Sequence, residues 1–310
     1  MVTDFDTAPD IAHVRSSLTQ IKPTPGTVAF RVFNTIFLTL LSLVTIYPFV
    51  NLVAKAFSSD GEIAAGHVNL WPRGFTTTTF HFVLTDPMFW LNYRNTLVYT
   101  VLGTVIAMAI TTTFAYAISR PNLRGRGFFV GIAVFTMFFG GGLIPNYILV
   151  TQWLHMRNTI WAIVLPGALS VFNLLVMKSF FENFPTELEE AASLDGLSTY
   201  GVFFRVVMPL SKAVLATMTL FYAVGAWNSW FGAFLYLDDK TKFPVMMYLR
   251  NLIAGATGSV DIAGNANDAV QIGQNIQSVT MLLTVLPIVC VYPFVQKYFV
   301  SGVMLGSVKG

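Results

Sequence analysis

Residues 182–209 read ENFPTELEEAASLDGLSTYGVFFRVVMP and carry five carboxylates, Glu182, Glu187, Glu189, Glu190 and Asp195, between long apolar stretches. Such a cluster is either the solvated skin of a connector or a surface on which something docks. The companions that catalysis or metal binding would need are missing. The four histidines, His13, His67, His81 and His155, fall at no metal-ligand spacing, as a zinc site would require. No Ser/His/Asp arrangement and no GxSxG occurs, and no GxxxxGK[ST] loop is present to cradle nucleotide phosphates. The single cysteine, Cys290, sits in an apolar run, which excludes an internal disulfide and a CxxC site and suits a small hydrophobe.

The local pattern is that of a shaped element. Thr186 and Glu189 are spaced as a capping box, and Glu187 falls in the first turn, where the helix dipole favours an acid. The helix TELEEAASLD would show a small face at Ala191 and Ala192 and apolar grip at Leu188 and Leu194. Gly196 allows a sharp turn, and STYGVFFRVVMP then forms a second short amphipathic helix ending at Pro209. Two short helices joined at a glycine make a protruding elbow.

The rest of the chain must hold that elbow, and its composition says where. Of 310 residues 55% are hydrophobic and only 11% charged, with a mean hydropathy of +0.64. Soluble domains carry about 25% charged residues, so this is an integral membrane protein. The net charge of +3 comes from scattered Lys and Arg and offers no basic stripe, which excludes a nucleic-acid partner. About 20 residues at a 1.5 Å rise cross a roughly 30 Å hydrocarbon core. Six runs meet that length, at 29–53, 95–118, 128–151, 159–180, 212–236 and 278–300, and predict an all-α protein with six transmembrane helices in contact with lipid. Pro48, Pro145, Pro166, Pro287 and Pro293 lie in or near these runs and should kink them. Residues 1–28 are polar, end in KPTPG and read as a tail with no cleavable signal.

The short loop RPNLRGRG holds Arg120, Arg124 and Arg126 without an acid, which marks it as cytoplasmic. Six spans then put the N-terminal tail, the elbow and the C-terminus in the cytoplasm, at a plasma membrane. The loops at 54–94 and 237–277 fall outside, the second too long for an idle connector. Trp90, Trp227, Trp230, Phe231 and Tyr236 gather near the outer boundary as an interfacial aromatic belt. No ionisable side chain lies near the centre of a span; Arg31, Lys178, Lys212 and Lys297 lie at cytoplasmic ends, where their stems can snorkel. A proton relay is thereby disfavoured, although backbone carbonyls could still bind sodium.

The spacing of Glu190, Ala191, Ala192, Asp195, Gly196, Val206 and Pro209 resembles the EAA signature loop of ABC importer permeases, with Leu197 where Ala is usual and Met208 for the Leu before the proline. Residues 138–181, from FFGGGLIPNYILVTQWLH onward, and AWNSWFGAFLYLDD at 226–239 are similar to carbohydrate importer permeases of the maltose type, closest to the lipoprotein and complex-polysaccharide permease subgroup. The resemblance covers about residues 90–300. It implies a type I permease domain over 29–310, with a coupling loop at 182–210 and an extracytoplasmic loop at 237–277. It also implies that this chain is one subunit, most simply of a heterodimer with a second permease. The elbow would enter a cleft on a cytoplasmic ABC ATPase dimer, Glu190 meeting a basic residue there. ATP and Mg would be bound by that ATPase and not by this chain, which is then no enzyme. An extracytoplasmic solute-binding protein would deliver the sugar, and the loop at 237–277 could contact it. Of the five carboxylates only Glu190 is then expected to be indispensable.

Sugars are held by aromatic faces and neutral hydrogen-bonding groups. Asn146, Tyr147, Asn173, Tyr222 and Asn228, with Trp227 and Trp230 for stacking, are the candidates for a substrate path, and Ser229 lies beside them. Each has an ordinary alternative in helix packing. The Gly140–Gly142 run before Pro145 reads as a helix break or a close-packing site. The uncharged interior favours a neutral oligosaccharide over a uronate. The rival readings are a secondary carrier without an ATPase, an ABC permease for a non-sugar solute, and a membrane scaffold or sensor.

Overall fold

The structure, a computed structural model, describes residues 24–256 and 274–304. Most of the predicted tail, residues 257–273 of the predicted outer loop and residues 305–310 lie outside the described residues. Every regular element described is helical. By backbone contacts the chain divides into two units, 1–51 and 52–310.

The helices are α1 (Pro25–Ala56), α2 (Asp60–Ala64), α3 (Thr78–Thr85), α4 (Pro87–Ser119), α5 (Arg126–Phe138), α6 (Leu143–Ile148), α7 (Trp161–Val164), α8 (Val171–Glu182), α9 (Thr186–Leu194), α10 (Thr199–Val202), α11 (Met208–Leu210), α12 (Lys212–Trp227), α13 (Phe231–Tyr236), α14 (Val245–Ala256) and α15 (Gln274–Met304). Wider π-helical turns extend α6 over Leu149–Trp153 and join α10 to α11 over Phe203–Val207.

Among the described residues three helices are long and apolar enough to cross a membrane unbroken: α1, α4 and, over Asn275–Pro293, α15. Two further candidates are bent pairs. The third predicted run turns through 111° between α5 and Leu143–Trp153, and the helix from Thr199 to Leu210 meets α12 at 82°. Hydropathy reports composition and is blind to such breaks. Gly140–Gly142 leave α5 without side chains to continue it, and Gly142 takes φ +85°, open to glycine at no steric cost. The fourth run, expected to be continuous over 159–180, is helical only in α7 and α8. Pro166 and Gly167 interrupt it, and Ser170 restarts it by accepting the Asn173 N–H at 3.4 Å. The fifth run breaks at Asn228–Trp230. Pro48, Pro287 and Pro293, by contrast, lie inside uninterrupted helices.

The second run begins at Pro87 and not near residue 95. Asp86 accepts the Met88 N–H at 2.8 Å and Pro87 takes the first helical position, a strong start signal. The resulting helix has 33 residues and is about 50 Å long, more than the hydrocarbon core needs. It therefore carries side chains at one end, the middle and the other end of the bundle. Its inward face is small or hydroxyl-bearing (Thr96, Thr104, Ala107, Thr111, Thr112, Ala115), while Leu97, Val98, Val101 and Val105 stay exposed. Small residues let helices approach where lipid gives no hydrophobic drive for association.

Two buried clusters hold the ends of α4. Under the elbow, Tyr116 and Ile118 pack with Leu174, Met177 and Phe181 of α8, with Ala192 of α9, and with Val202, Phe203 and Val207. At the opposite end Phe89 packs with Ala56, Val83, Val245 and Val279.

Candidate functional site

The elbow is built as α9, a glycine turn and α10. At the end of α9 the Gly196 N–H reaches Ser193 O at 3.1 Å and the Leu197 N–H reaches Ala192 O at 3.1 Å. This is the closing pattern that needs a left-handed residue after the helix, and Gly196 supplies it with φ +84°. Ser198 then caps α10 through the Gly201 N–H at 3.3 Å. Ala192 and, in part, Leu197 and Val206 pack into the cluster below. Glu190, Ala191, Asp195 and Pro209 are exposed, as are Leu194 at 89% and Tyr200 at 78%. The residues of the signature thus divide into an inward set that seats the elbow and an outward set that presents it.

The expected capping box does not form. Thr186 is already helical, Pro185 holds the cap position without a side-chain bond, and Glu189 turns elsewhere. Its Oε1 lies 2.7 Å from Arg120 Nη2, while the Tyr116 hydroxyl donates to its Oε2 at 3.4 Å. The Arg120 guanidinium lies 4.5 Å above the Tyr116 ring. The full charge of a partly buried guanidinium attracts the carboxylate more strongly than the partial charge of one exposed backbone N–H, so the ion pair forms in place of the cap. Glu182 is engaged as well, by Lys178 Nζ at 2.8 Å and by Arg126 Nη2. Two of the five acids are therefore internal ties to the arginine loop, a role the spacing did not reveal. Glu187, Glu190 and Asp195 make no ion pair among the described residues.

A second feature lies between α4, α8 and α12: a cavity of about 400 Å³ walled by Tyr99, Gly103 and Ala107, by Ser170 and Asn173, and by Phe221, Tyr222, Gly225 and Ser229. Its volume is in the range of small-molecule sites, and no charged side chain lines it. Tyr222 anchors the wall, its hydroxyl 2.6 Å from Thr111 Oγ1 and accepting the Ser170 N–H at 3.0 Å. Aromatic faces, four hydroxyl-bearing side chains and an amide in an uncharged chamber can hold a polyhydroxylated molecule.

Of the residues predicted for the substrate path, Asn173 and Tyr222 come together in this wall. Trp227 does not line the cavity; the side chain is buried against α15 and donates from Nε1 to Thr284 O at 3.1 Å. Asn228 is exposed and bonds back to Val224 O at 2.9 Å. Trp230 lies under the Arg250 guanidinium at 4.8 Å. Asn146 is exposed, and Tyr147 stacks on Tyr236 with ring centres 6.1 Å apart.

Sequence reasoning missed a polar stripe on α4. Asn95 Nδ2 donates to Thr241 O at 2.7 Å and Phe243 O at 3.1 Å, the Tyr99 hydroxyl to Lys242 O at 2.7 Å, and Val245 N–H to Thr96 Oγ1 at 2.7 Å. These bonds fasten the segment after α13 over the end of the cavity at Tyr99. The signal was legible as Asn92, Asn95, Thr96 and Tyr99, polar at helical spacing in an apolar run. Within the segment Asp239 takes the Thr241 hydroxyl and N–H at 2.6 and 2.9 Å, and these bonds hold its carboxyl below the usual range. Tyr248 donates to Asp86 at 2.7 Å; burial first and this bond second push its phenol well above the usual range.

No protein-family model matches the chain, but whole-length relatives do. It is 38% identical to Protein LplC of Bacillus subtilis (strain 168) over 94% of this chain and all of that protein. It is 36% identical to the polygalacturonan/rhamnogalacturonan transport system permease protein YtcP of the same organism, over 88% of this chain and 96% of the relative. A chain in the crystal structure of a bacterial ABC transporter involved in import of the acidic polysaccharide alginate superposes with a TM-score of 0.80 at 32% identity, covering 89% of this chain and 98% of that one. With identity of this level running end to end, and a helical frame shared with a solved transporter, the chain belongs to the carbohydrate ABC importer permeases, multi-pass membrane subunits that couple to a separate ATPase.

Proposed function

We propose that this chain forms half of a heterodimeric pore through which an oligosaccharide is imported, with the elbow as its contact to the ATPase. The observation that carries the reading is the elbow itself, a rigid helix that turns Glu190 and Leu194 outward while Ala192 seats it on the bundle. Residues 182–210 are the coupling loop, in which Glu190 meets a basic residue of the ATPase dimer, and that partner holds ATP and Mg. Residues 29–310 form one transmembrane domain after the tail at 1–28. The three unbroken helices, the two bent pairs and the interrupted α7–α8 segment support six spans. Cytoplasmic termini are supported by Arg120, Arg124 and Arg126, two of which pair with acids of the elbow region. The segment over 237–277 faces a solute-binding protein on the outer side.

Asn173 and Tyr222 belong to the substrate path, and the uncharged cavity favours a neutral oligosaccharide. The likeness to an alginate transporter favours an acidic one instead, for which the second permease or the binding protein would supply the cations. The test is reconstitution of the complex with its ATPase and binding protein, with cysteines at Ser193 or Leu197 and uptake of paired neutral and uronate oligosaccharides. Cross-linking to the ATPase and sugar-dependent ATP hydrolysis are expected. Uptake without ATP, or full transport with no cross-link, would refute the reading in favour of a self-driven carrier.

A further inference from the structure

The elbow is tied to one particular helix by a pair of charges. Arg120 directly follows Ser119, the last residue of α4, and the same helix forms a wall of the cavity with Tyr99, Gly103 and Ala107. The pair is largely withdrawn from solvent, with 21% of the Arg120 side chain and 15% of that of Glu189 exposed. It is braced by the Tyr116 hydroxyl and ring, and Tyr116 is itself wedged against Phe203 of the elbow at 4.7 Å and Phe181 of α8 at 5.8 Å. An exposed pair would add little and could slide. A pair shielded from solvent holds one geometry, because its partners cannot separate without leaving a charge uncompensated.

We infer that the Arg120–Glu189 pair is the strut through which displacement of the elbow becomes displacement of α4 and thus of the cavity wall. Glu189 and Arg120 are on this account positioning residues: Glu190 receives the push from the ATPase, and Glu189 passes it on. Packing of Ala192 and Leu197 gives α9 a second fixed point, so that α9 moves with α4 as one body. The inference rests on the proposal that the elbow docks on the ATPase.

The experiment measures sugar imported per ATP hydrolysed in the reconstituted full complex, for Glu189→Gln, Arg120→Met, the exchange Arg120→Glu with Glu189→Arg, and Tyr116→Phe. A residue that only supports folding lowers transport and hydrolysis together and leaves the ratio intact. The strut predicts a ratio lower by about tenfold in each single charge variant, within the usual span of coupling between sites, and its partial recovery in the exchange. If the charge variants fail to assemble, Tyr116→Phe decides, since it keeps the ring packing and removes only the hydroxyl; a twofold to threefold fall is expected. An unchanged ratio in assembled charge variants, or in Tyr116→Phe where those fail, overturns the strut. The wild-type cross-link from Ser193 to the ATPase is scored in parallel. Its presence beside an unchanged ratio overturns the strut alone, and its absence overturns the docking proposal and the strut with it.

Discussion

Gly196 allows the account of the elbow to be tested by conformation alone. A Cβ built on it meets nothing within 4 Å, so within this chain a substitution costs no packing and the whole penalty is the positive φ of +84°. A non-glycine residue in the left-handed region costs about 1–2 kcal/mol, and Asn less because its short polar side chain bonds locally. That energy corresponds to a factor of about 5–30 in the population of the correctly turned elbow. Gly196→Asn should therefore retain most transport, Gly196→Ala should lose about fivefold or more, and Gly196→Val should be worst, since a β-branched residue is a true outlier there. The assay is sugar-stimulated ATP hydrolysis and uptake in proteoliposomes, with melting of the purified subunit as control. Spread over a chain of this size, a cost of about 1–2 kcal/mol should lower the melting temperature by no more than a few degrees. If Asn is as damaging as Ala, the constraint is contact with another surface and not backbone conformation, and the reasoning fails.

Glu190→Ala should abolish most sugar-stimulated hydrolysis while changing subunit stability by less than about 0.5 kcal/mol, as expected of an exposed side chain; equal losses of both would place Glu190 in folding. Tyr222→Phe removes the acceptor of the Ser170 N–H and the partner of Thr111, an effect of about 1–3 kcal/mol. It should raise the half-saturating sugar concentration for transport, and unchanged saturation would remove this cavity from the substrate path. Asn95→Leu should loosen the segment at 240–243, which Tyr99 and Thr96 still hold to α4, and speed hydrogen exchange of Lys242 and Phe243, with no change at Ala192. For Asp239, whose carboxyl is lowered by the bonds from Thr241, the contribution is fully present above the unfolded value and lost as pH falls through the folded one. Proteolysis of the 240–242 turn should accordingly stay slow down to about pH 4 and rise only below it.

The chain by itself determined the medium, the helical class and the elbow. A residue content this apolar and this poor in charge has no other solvent, and a glycine between two short amphipathic segments has few other shapes. The importer-permease resemblance was legible in the spacing from Glu190 to Pro209 and the carbohydrate branch in residues 138–181 and 226–239, and both agree with the relatives found. Helix continuity was not legible, because hydropathy adds up side chains and cannot see that Gly140–Gly142, Pro166–Gly167 and Asn228–Trp230 end their helices. The uses of individual polar groups were hidden for a further reason: each is set by what arrives from elsewhere in the chain. Glu189 stood in place for a capping box, yet Arg120, distant in sequence, brings a charge that backbone N–H groups cannot match. Trp227 was read for its ring face, and only the fold shows that its indole N–H is taken up by Thr284 O. Tyr222 was one polar residue among several, and only the crossing of α4, α8 and α12 surrounds it with a cavity. Composition and spacing decide which surfaces a segment offers; tertiary structure alone decides which partner each polar atom finds, because that depends on distances the sequence does not contain.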